Sequence, residues 1–365
     1  MADSGEWIMI GELVRQARRG AGLSQDELAR EVALDRTMIA KIEAGSRRID
    51  AMELIRIAGA LDVPVDYLLE PRPSVISHRA DLLADDSDTE FDRSAQRLEV
   101  VLTGWLRDIR QMVDGGSLRP SPPVHYPGRI ETQADGREAA RWLRRVRKID
   151  NEPIESLLDF NERSGQYVLV TPLEGDGASL IEGDLAVAVV SASGNPGRRR
   201  ATAAHELGHL VLGDEYATDL AVHLSRDDRE AVVNAFAAEL LLPASAFGAR
   251  GDSDARIREE LVGLAARYRT SWSLALRQAE QAGWLDPSTR IRWGQITPTR
   301  AEFLDAVGWA PQPDLDALRV PPGYSHAVLD AWRRDLITDA RAIELLHGTI
   351  KPEDLPPRSD AGLAP

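Results

Sequence analysis

At 365 residues the chain is too long for one ordinary domain, so two or three are expected, each able to bury its own core. The absence of cysteine removes disulfides, thiol nucleophiles, iron–sulfur clusters and cysteine-type zinc fingers together, which leaves histidine and carboxylate as metal ligands and suits a reducing cytoplasm. Lys+Arg 44 against Asp+Glu 59 gives a net charge of −15, which argues against a protein that coats nucleic acid through its whole surface and leaves room for one local basic face.

The first residues, MADSGEWIMI, put acids before a short apolar patch, the wrong order for a secretory signal, and the apolar run Leu185–Val190 is far short of a membrane span. A cytoplasmic protein with no membrane segment is expected. Short amphipathic helices follow at Glu12–Arg19, Ser24–Val32, Asp35–Glu43, Asp50–Leu61 and Pro64–Leu69, a five-helix bundle with Ser24 and Asp35 as N-caps and Gly45 closing the third helix. From Phe91 the positions Phe91, Ala95, Leu98, Leu102, Trp105, Ile109 and Met112 make a heptad seam, which fits either a dimerising helix or a long helix packed on its own chain. Gly115–Pro127 is rich in Gly, Pro and Ser and reads as a linker.

Gly136–Asp150 is an amphipathic helix with a basic outer face. Strands are expected at Tyr167–Val170 and Leu185–Ser191, the latter or its neighbour serving as a sheet edge for an extended peptide. The sequence from Arg198 to Leu212, RRRATAAHELGHLVL, contains His205, Glu206 and His209 in the spacing H-E-x-x-H. Residues four apart share one face of a helix, so two imidazoles can hold one metal ion with Glu206 beside it as general base and then acid. Gly208 is expected to leave room near the metal. A catalytic zinc needs a third protein ligand. Ser225–Leu242 reads as a second helix, on which Glu230 shares a stripe with Asn234, Ala237 and Leu241. Glu230 is the favoured third ligand, with Asp219, His223 and Glu239 as competitors and Glu239 better read as a solvent-facing acid. His78, His125, His326 and His347 read as structural or exposed. Two short helices near Ser325–Arg334 and Thr338–His347 close the chain.

Two resemblances follow from these residues. AAHELGHLVLGDEY followed by EAVVNAFAAELLLP resembles the ImmA/IrrE family of metallopeptidases over roughly Ile149 to Leu285, with Val233 where the family pattern has Ala. The resemblance implies zinc, with manganese the alternative, on His205, His209 and Glu230, Glu206 as catalytic acid/base, and helix-turn-helix repressors as substrates. LVRQARRGAGLSQDELAREVALDRTMIAKIEAGSRRIDAMELIRIAGALDVPVDYLL resembles the Xre/Cro-type DNA-binding domain, which implies a double-stranded operator as partner. Physically, Asp35–Glu43 would enter the major groove, with Arg36, Thr37, Met38 and Lys41 toward bases or phosphates and Gln25, Arg47 and Arg48 toward phosphates. A helix-turn-helix reused for protein contact is the alternative.

The expected fold is mainly α: a five-helix helix-turn-helix bundle (1–74), a long helix and linker (75–135), an α+β zincin-like metallopeptidase domain with a small sheet (136–295) and a helical extension (296–365). The expected function is a homodimeric transcriptional regulator with a zinc-dependent endopeptidase domain of gluzincin-like ligand set, cleaving a regulator protein in trans or its own chain, at 71–88 or 115–127, in a stress or defence response. The alternatives are a regulator whose zinc domain is a sensor without peptidase activity, and an antitoxin-like protein with a relict site.

Overall fold

The computed structural model describes residues 4–69, 75–79, 88–173, 175–193, 195–213, 226–309, 315 and 317–355. The chain opens with α1 (Ser4–Gly20), α2 (Gln25–Glu31), α3 (Arg36–Glu43), α4 (Ala51–Ala60) and a 3-10 turn at Val65–Leu68. Ser24 and Asp50 each begin a helix with a capping box, closed by Glu27 and Glu53, whereas Asp35 stands at the N-cap of α3 without a side-chain capping bond. The first helix starts well upstream of Glu12, because Ile10 and Trp7 join the same apolar face as Val14 and Ala17. Gly11 makes that packing possible: a Cβ there would stand 2.3 Å from the carbonyl oxygen of Ile42 on α3.

One buried ion pair ties this bundle together. Arg18 Nε donates to Glu43 Oε1 at 2.6 Å and Arg18 Nη1 to the Leu23 carbonyl at 2.7 Å, so the end of α1, the first turn and the end of α3 are held by one guanidinium. Around it Val14, Leu28, Ile39, Ile42, Ile57 and Leu68 form a closed core.

Next come β1 (Val75–Arg79), α5 (Asp88–Asp114), α6 (Gln133–Val146), α7 (Leu157–Arg163), β2 (Gln166–Thr171), β3 (Gly177–Glu182) and β4 (Leu185–Ser191). They are followed by α8 (Pro196–Leu212) and α9 (Arg226–Leu241). The sheet order is β1-β3-β4-β2, with β1–β3 and β3–β4 antiparallel and β2–β4 parallel. Of the two strands offered as an edge, Leu185–Ser191 is therefore interior, and its neighbour β2 stands at one end of the order. The hairpin partner of β4, β3, is reached through the two-residue turn Gly183–Asp184, with Gly183 at φ +59°, and occupies one side, while β2 occupies the other.

Both faces of the sheet are covered, which is why β4 is buried at every position. On one face Val168, Val170, Ile181, Ala186, Ala188 and Val190 pack with α6 to α9. On the other, Tyr167, Leu169, Leu180, Val187 and Val189 pack with α5 and the C-terminal helices. The heptad seam is consumed here. Leu98, Leu102, Trp105, Ile109 and Met112 are all buried against the chain's own sheet, so among the described side chains the seam is not a free dimer face; for Phe91 and Ala95 only the backbone is described. Trp105 Nε1 donates to the Tyr167 carbonyl at 2.9 Å and its ring meets Tyr324 edge-on at 4.7 Å.

The Gly/Pro-rich 115–127 stretch has no regular structure and is tied down along its length: Val124 N donates to Ser164 O at 3.2 Å and Tyr126 N to Val211 O at 2.8 Å. The chain ends with α10 (Asp254–Arg267), α11 (Trp272–Gln281), α12 (Pro287–Gly294), α13 (Arg300–Val307), α14 (Pro322–Arg333) and α15 (Asp339–Leu345). The N-terminus of α14 is received by Glu162, whose two oxygens accept from the Gly323 and Tyr324 amides at 2.7 Å each; burial nonetheless pushes this carboxyl above its ordinary range. The expected fraying at Pro356–Pro365 lies outside the described residues. The architecture is mainly helical, with one small mixed sheet.

Since Leu102 is fully buried, Leu102→Ala is expected to cost about 2–5 kcal/mol in a urea titration and to leave the mass by light scattering unchanged, because the face it damages is internal.

Candidate metal centre and DNA-reading face

The helix α8 is fixed at both ends. Asn195 accepts from Gly197 N at 2.9 Å, Pro196 takes the first helical position, and Gly213 ends the helix at φ 71°. Nearly every residue from Gly197 to Val211 is buried, because α8 lies between the sheet and α9. Gly208 serves a different purpose from the one expected. A Cβ there would meet Val233 Cγ1 at 2.9 Å and Phe236 at 3.0 Å, so its bare backbone admits α9 rather than making room for metal.

That close crossing brings three side chains together. His205 Nε2 and His209 Nε2 lie 3.0 Å apart, Glu230 Oε2 lies 3.3 Å from His205 Nε2, and Glu230 Oε1 lies 3.8 Å from His209 Nε2. One ligand atom from each of the three falls within 4.8 Å of the others, the sole such cluster among the described residues. Both imidazoles are buried, while the Glu230 side chain is 41% exposed, which leaves an approach from its side. Asn234, one turn after Glu230, places Oδ1 3.2 Å from His205 Nδ1. With the proton on Nδ1 donated to that amide oxygen, Nε2 keeps its lone pair for a metal.

Glu206 lies beside this cluster, fully buried and directed toward the sheet. Its Oε2 accepts from Ser179 Oγ at 2.7 Å, and its main-chain carbonyl accepts from Gln166 Nε2 at 2.8 Å. Its Oε1 has no hydrogen-bond partner among the described residues and lies 3.6 Å from where a Cβ on Gly177 would be. Neither β3 nor Ser179 was anticipated from sequence, although the Gly183–Asp184 hairpin turn was a readable signal.

The competing ligands resolve in two ways. Asp219 and His223, and the expected cap Ser225, lie outside the described residues. Glu239 is not solvent-facing. It is fully buried, receives Arg141 Nε at 3.0 Å and Gln278 Nε2 at 3.2 Å, and accepts from Ala244 N, so it closes the far end of α9. His125 lies across the end of the metal-site helix, its Nδ1 3.0 Å from the Leu210 carbonyl.

In the N-terminal bundle, Thr37, Arg36 and Lys41 are exposed along α3 and Met38 is half-buried. Arg36 stands 3.9 Å from Asp26, a loose surface pair that leaves the guanidinium available. Arg48 is exposed beyond α3. Gln25 and Arg47 are engaged internally: Gln25 Nε2 donates to Glu43 Oε2 at 2.8 Å, and Arg47 makes two bonds to Glu53, at 2.6 and 2.8 Å. Arg47 thus braces the N-terminus of α4.

Residues 14–68 match the helix-turn-helix family and residues 162–280 match the IrrE N-terminal-like domain. Over 58 residues, 16% of the chain, it is 45% identical to a transcriptional regulator in the ATPase CF(0) region of Rhodospirillum rubrum, of which it spans 54%. Over 83 residues, 22% of the chain, it is 32% identical to the helix-turn-helix-type transcriptional regulator YqaE of Bacillus subtilis (strain 168), of which it spans 72%. The crystal structure of Bacillus thuringiensis PlcR in complex with the peptide PapR7 and DNA aligns over 93% of this chain and 79% of that one at 11% identity, with a TM-score of 0.19 that carries no structural argument. Among the described residues no helix is long and apolar enough to cross a membrane.

Asn234→Ala is expected to weaken zinc binding by about 10–100-fold in a chelator competition, with an unchanged circular dichroism spectrum. The chain belongs to the helix-turn-helix transcriptional regulators and carries, behind that domain, an IrrE N-terminal-like domain built around the helix of His205, Glu206 and His209.

Proposed function

We propose that this DNA-binding regulator is also a zinc-dependent endopeptidase that cuts a regulator protein, a helix-turn-helix repressor in trans or its own chain, in a cytoplasmic stress or defence response. The observation that carries the reading is the convergence of His205, His209 and Glu230 from two helices on one point. Two imidazole nitrogens and one carboxylate oxygen, with one ring oriented by Asn234, fit zinc better than manganese, which favours oxygen-rich octahedral sets. Zinc held there supplies a Lewis acid.

The remaining chemistry belongs to the chain. Ser179 fixes one oxygen of Glu206 and leaves Oε1 to take up a proton and later release it to the leaving amine. Glu206 is thereby the general base and acid, and Ser179 sets its orientation. The full burial of Glu206 favours a second reading, in which the domain senses metal and does not cleave. Loading purified protein with zinc separates the two. Wild type and Glu206→Gln should each bind about one zinc per chain, His209→Ala much less, and only wild type should give cleavage products by mass spectrometry. Zinc binding without cleavage of the chain or of an added repressor supports the sensor reading.

For DNA, Arg36, Thr37, Met38 and Lys41 on α3 are the proposed groove contacts, Arg48 a phosphate contact, and two copies of the chain would occupy paired half-sites. Gln25 and Arg47 act on DNA through the helices they brace, unless they exchange their present partners for phosphates. Arg36→Ala with Lys41→Ala is expected to lower affinity for genomic fragments selected by wild type by about tenfold or more in a gel shift at moderate salt. Unchanged affinity would remove α3 as the reading helix.

A further inference from the structure

A sheet edge offers unpaired N–H and C=O groups to any extended chain, and an edge beside a hydrolytic site is where such a chain would be positioned. The strand that borders the Glu206 side chain is β3: Ser179 holds the Glu206 carboxylate, and Gly177 adjoins the oxygen that has no partner among the described residues. One side of β3 is taken by β4 in full register. The other is taken by β1, five residues that come from about a hundred positions earlier in the chain.

The register is informative. Ser77 pairs with Ser179, His78 with Ala178 and Arg79 with Gly177, and the ladder shifts between Val75 and Ser77. The backbone of β1 therefore runs antiparallel along the two residues that border Glu206, and it also lies against α8. A short strand with an irregular ladder is held less firmly than the neighbouring hairpin, and its place on the edge is the place a substrate segment would need.

We propose that residues 75–79 are a ligand in cis of the metal site: they fill the peptide-docking edge of β3, and a protein substrate reaches the site only as an extended segment that displaces them. The proposal rests on the peptidase reading for its consequence and on the sheet for its geometry. In the sequence β1 follows the helix-turn-helix domain directly, so displacement of this strand is a route by which the state of the DNA-binding domain would reach the hydrolytic site.

Ser77→Pro with His78→Pro tests it, because successive strand residues point their N–H groups to opposite sides and one of the two must lose a ladder bond. Amide exchange in full-length protein should rise on the order of tenfold or more in residues 177–180, while residues 185–191 stay protected and so report an intact sheet. A labelled synthetic peptide of sequence PSVISHRAD should bind the variant, restore that protection and bind wild type far more weakly. Unchanged exchange, or a freed edge that binds no peptide, overturns the proposal. With zinc loaded, the variant should cleave unfolded casein faster than wild type, and equal measurable rates also overturn it. Cleavage by neither protein, with the peptide still bound by the variant, upholds the docking edge and removes the peptidase reading alone.

Discussion

Everything at the candidate metal centre depends on how closely two helix backbones can approach. A Cβ on Gly208 of α8 would stand 2.9 Å from Val233 Cγ1 and 3.0 Å from Phe236 of α9 and would force those side chains to shift, and the crossing that the bare position admits sets Glu230 against His205 and His209. A second bare position, Gly136 on α6, does the same on the other side of α9, where a Cβ would stand 2.5 Å from the Val232 carbonyl. The helix carrying Glu230 is thus clamped between two glycines. Its far end is closed by Glu239, whose bonds to Arg141 and Gln278 compensate the burial of its carboxyl group. Arg144, also buried, gives its guanidinium to the carbonyls of Asp150, Leu240 and Glu152, fastening the same end of α9 to the loop after α6. Burial holds this guanidinium below its ordinary range, and three carbonyl acceptors in place of a carboxylate leave it structural.

The sheet connects this layer to the rest of the chain. Its strands bury alternate residues on two faces, so each strand that shapes the metal centre also forms the wall of a second core. Tyr167 and Leu169 face α5, while their neighbours Val168 and Val170 face the metal-site helices. Glu162 and Trp105 then attach the C-terminal helices to that second core, through the N-terminus of α14 and the edge of Tyr324. The C-terminal helices α14 and α15 are part of the packing on the face of the sheet opposite α8.

What sequence alone revealed follows from the range of the forces involved. The spacing of His205, Glu206 and His209 is a local property of a helix, and the bundle of the first seventy residues is announced by caps that act within three residues. Glu230 could be ranked because its stripe on α9 is a local periodicity, but its meeting with two imidazoles depends on Gly208, whose role is visible only when both helices are present. The seam from Leu98 to Met112 shows why periodicity is not partnership: the same spacing suits a second helix and a sheet, and the chain supplies the sheet. The capping signals Asp286 with Pro287, and Thr299 with Glu302, are of the same short range and mark α12 and α13 plainly. The order β1-β3-β4-β2 had no signature in sequence, since joining residues 75–79 to 177–180 is decided by packing across the whole domain.

The long helix α5 has a mechanical consequence. Val100 packs against the core of the N-terminal bundle, and Trp105, five residues on, is bonded to the sheet. At 1.5 Å of rise per residue, two cores grip one rod about 7–8 Å apart. Any torque on the bundle is delivered to the sheet with almost no length of helix in which to dissipate it.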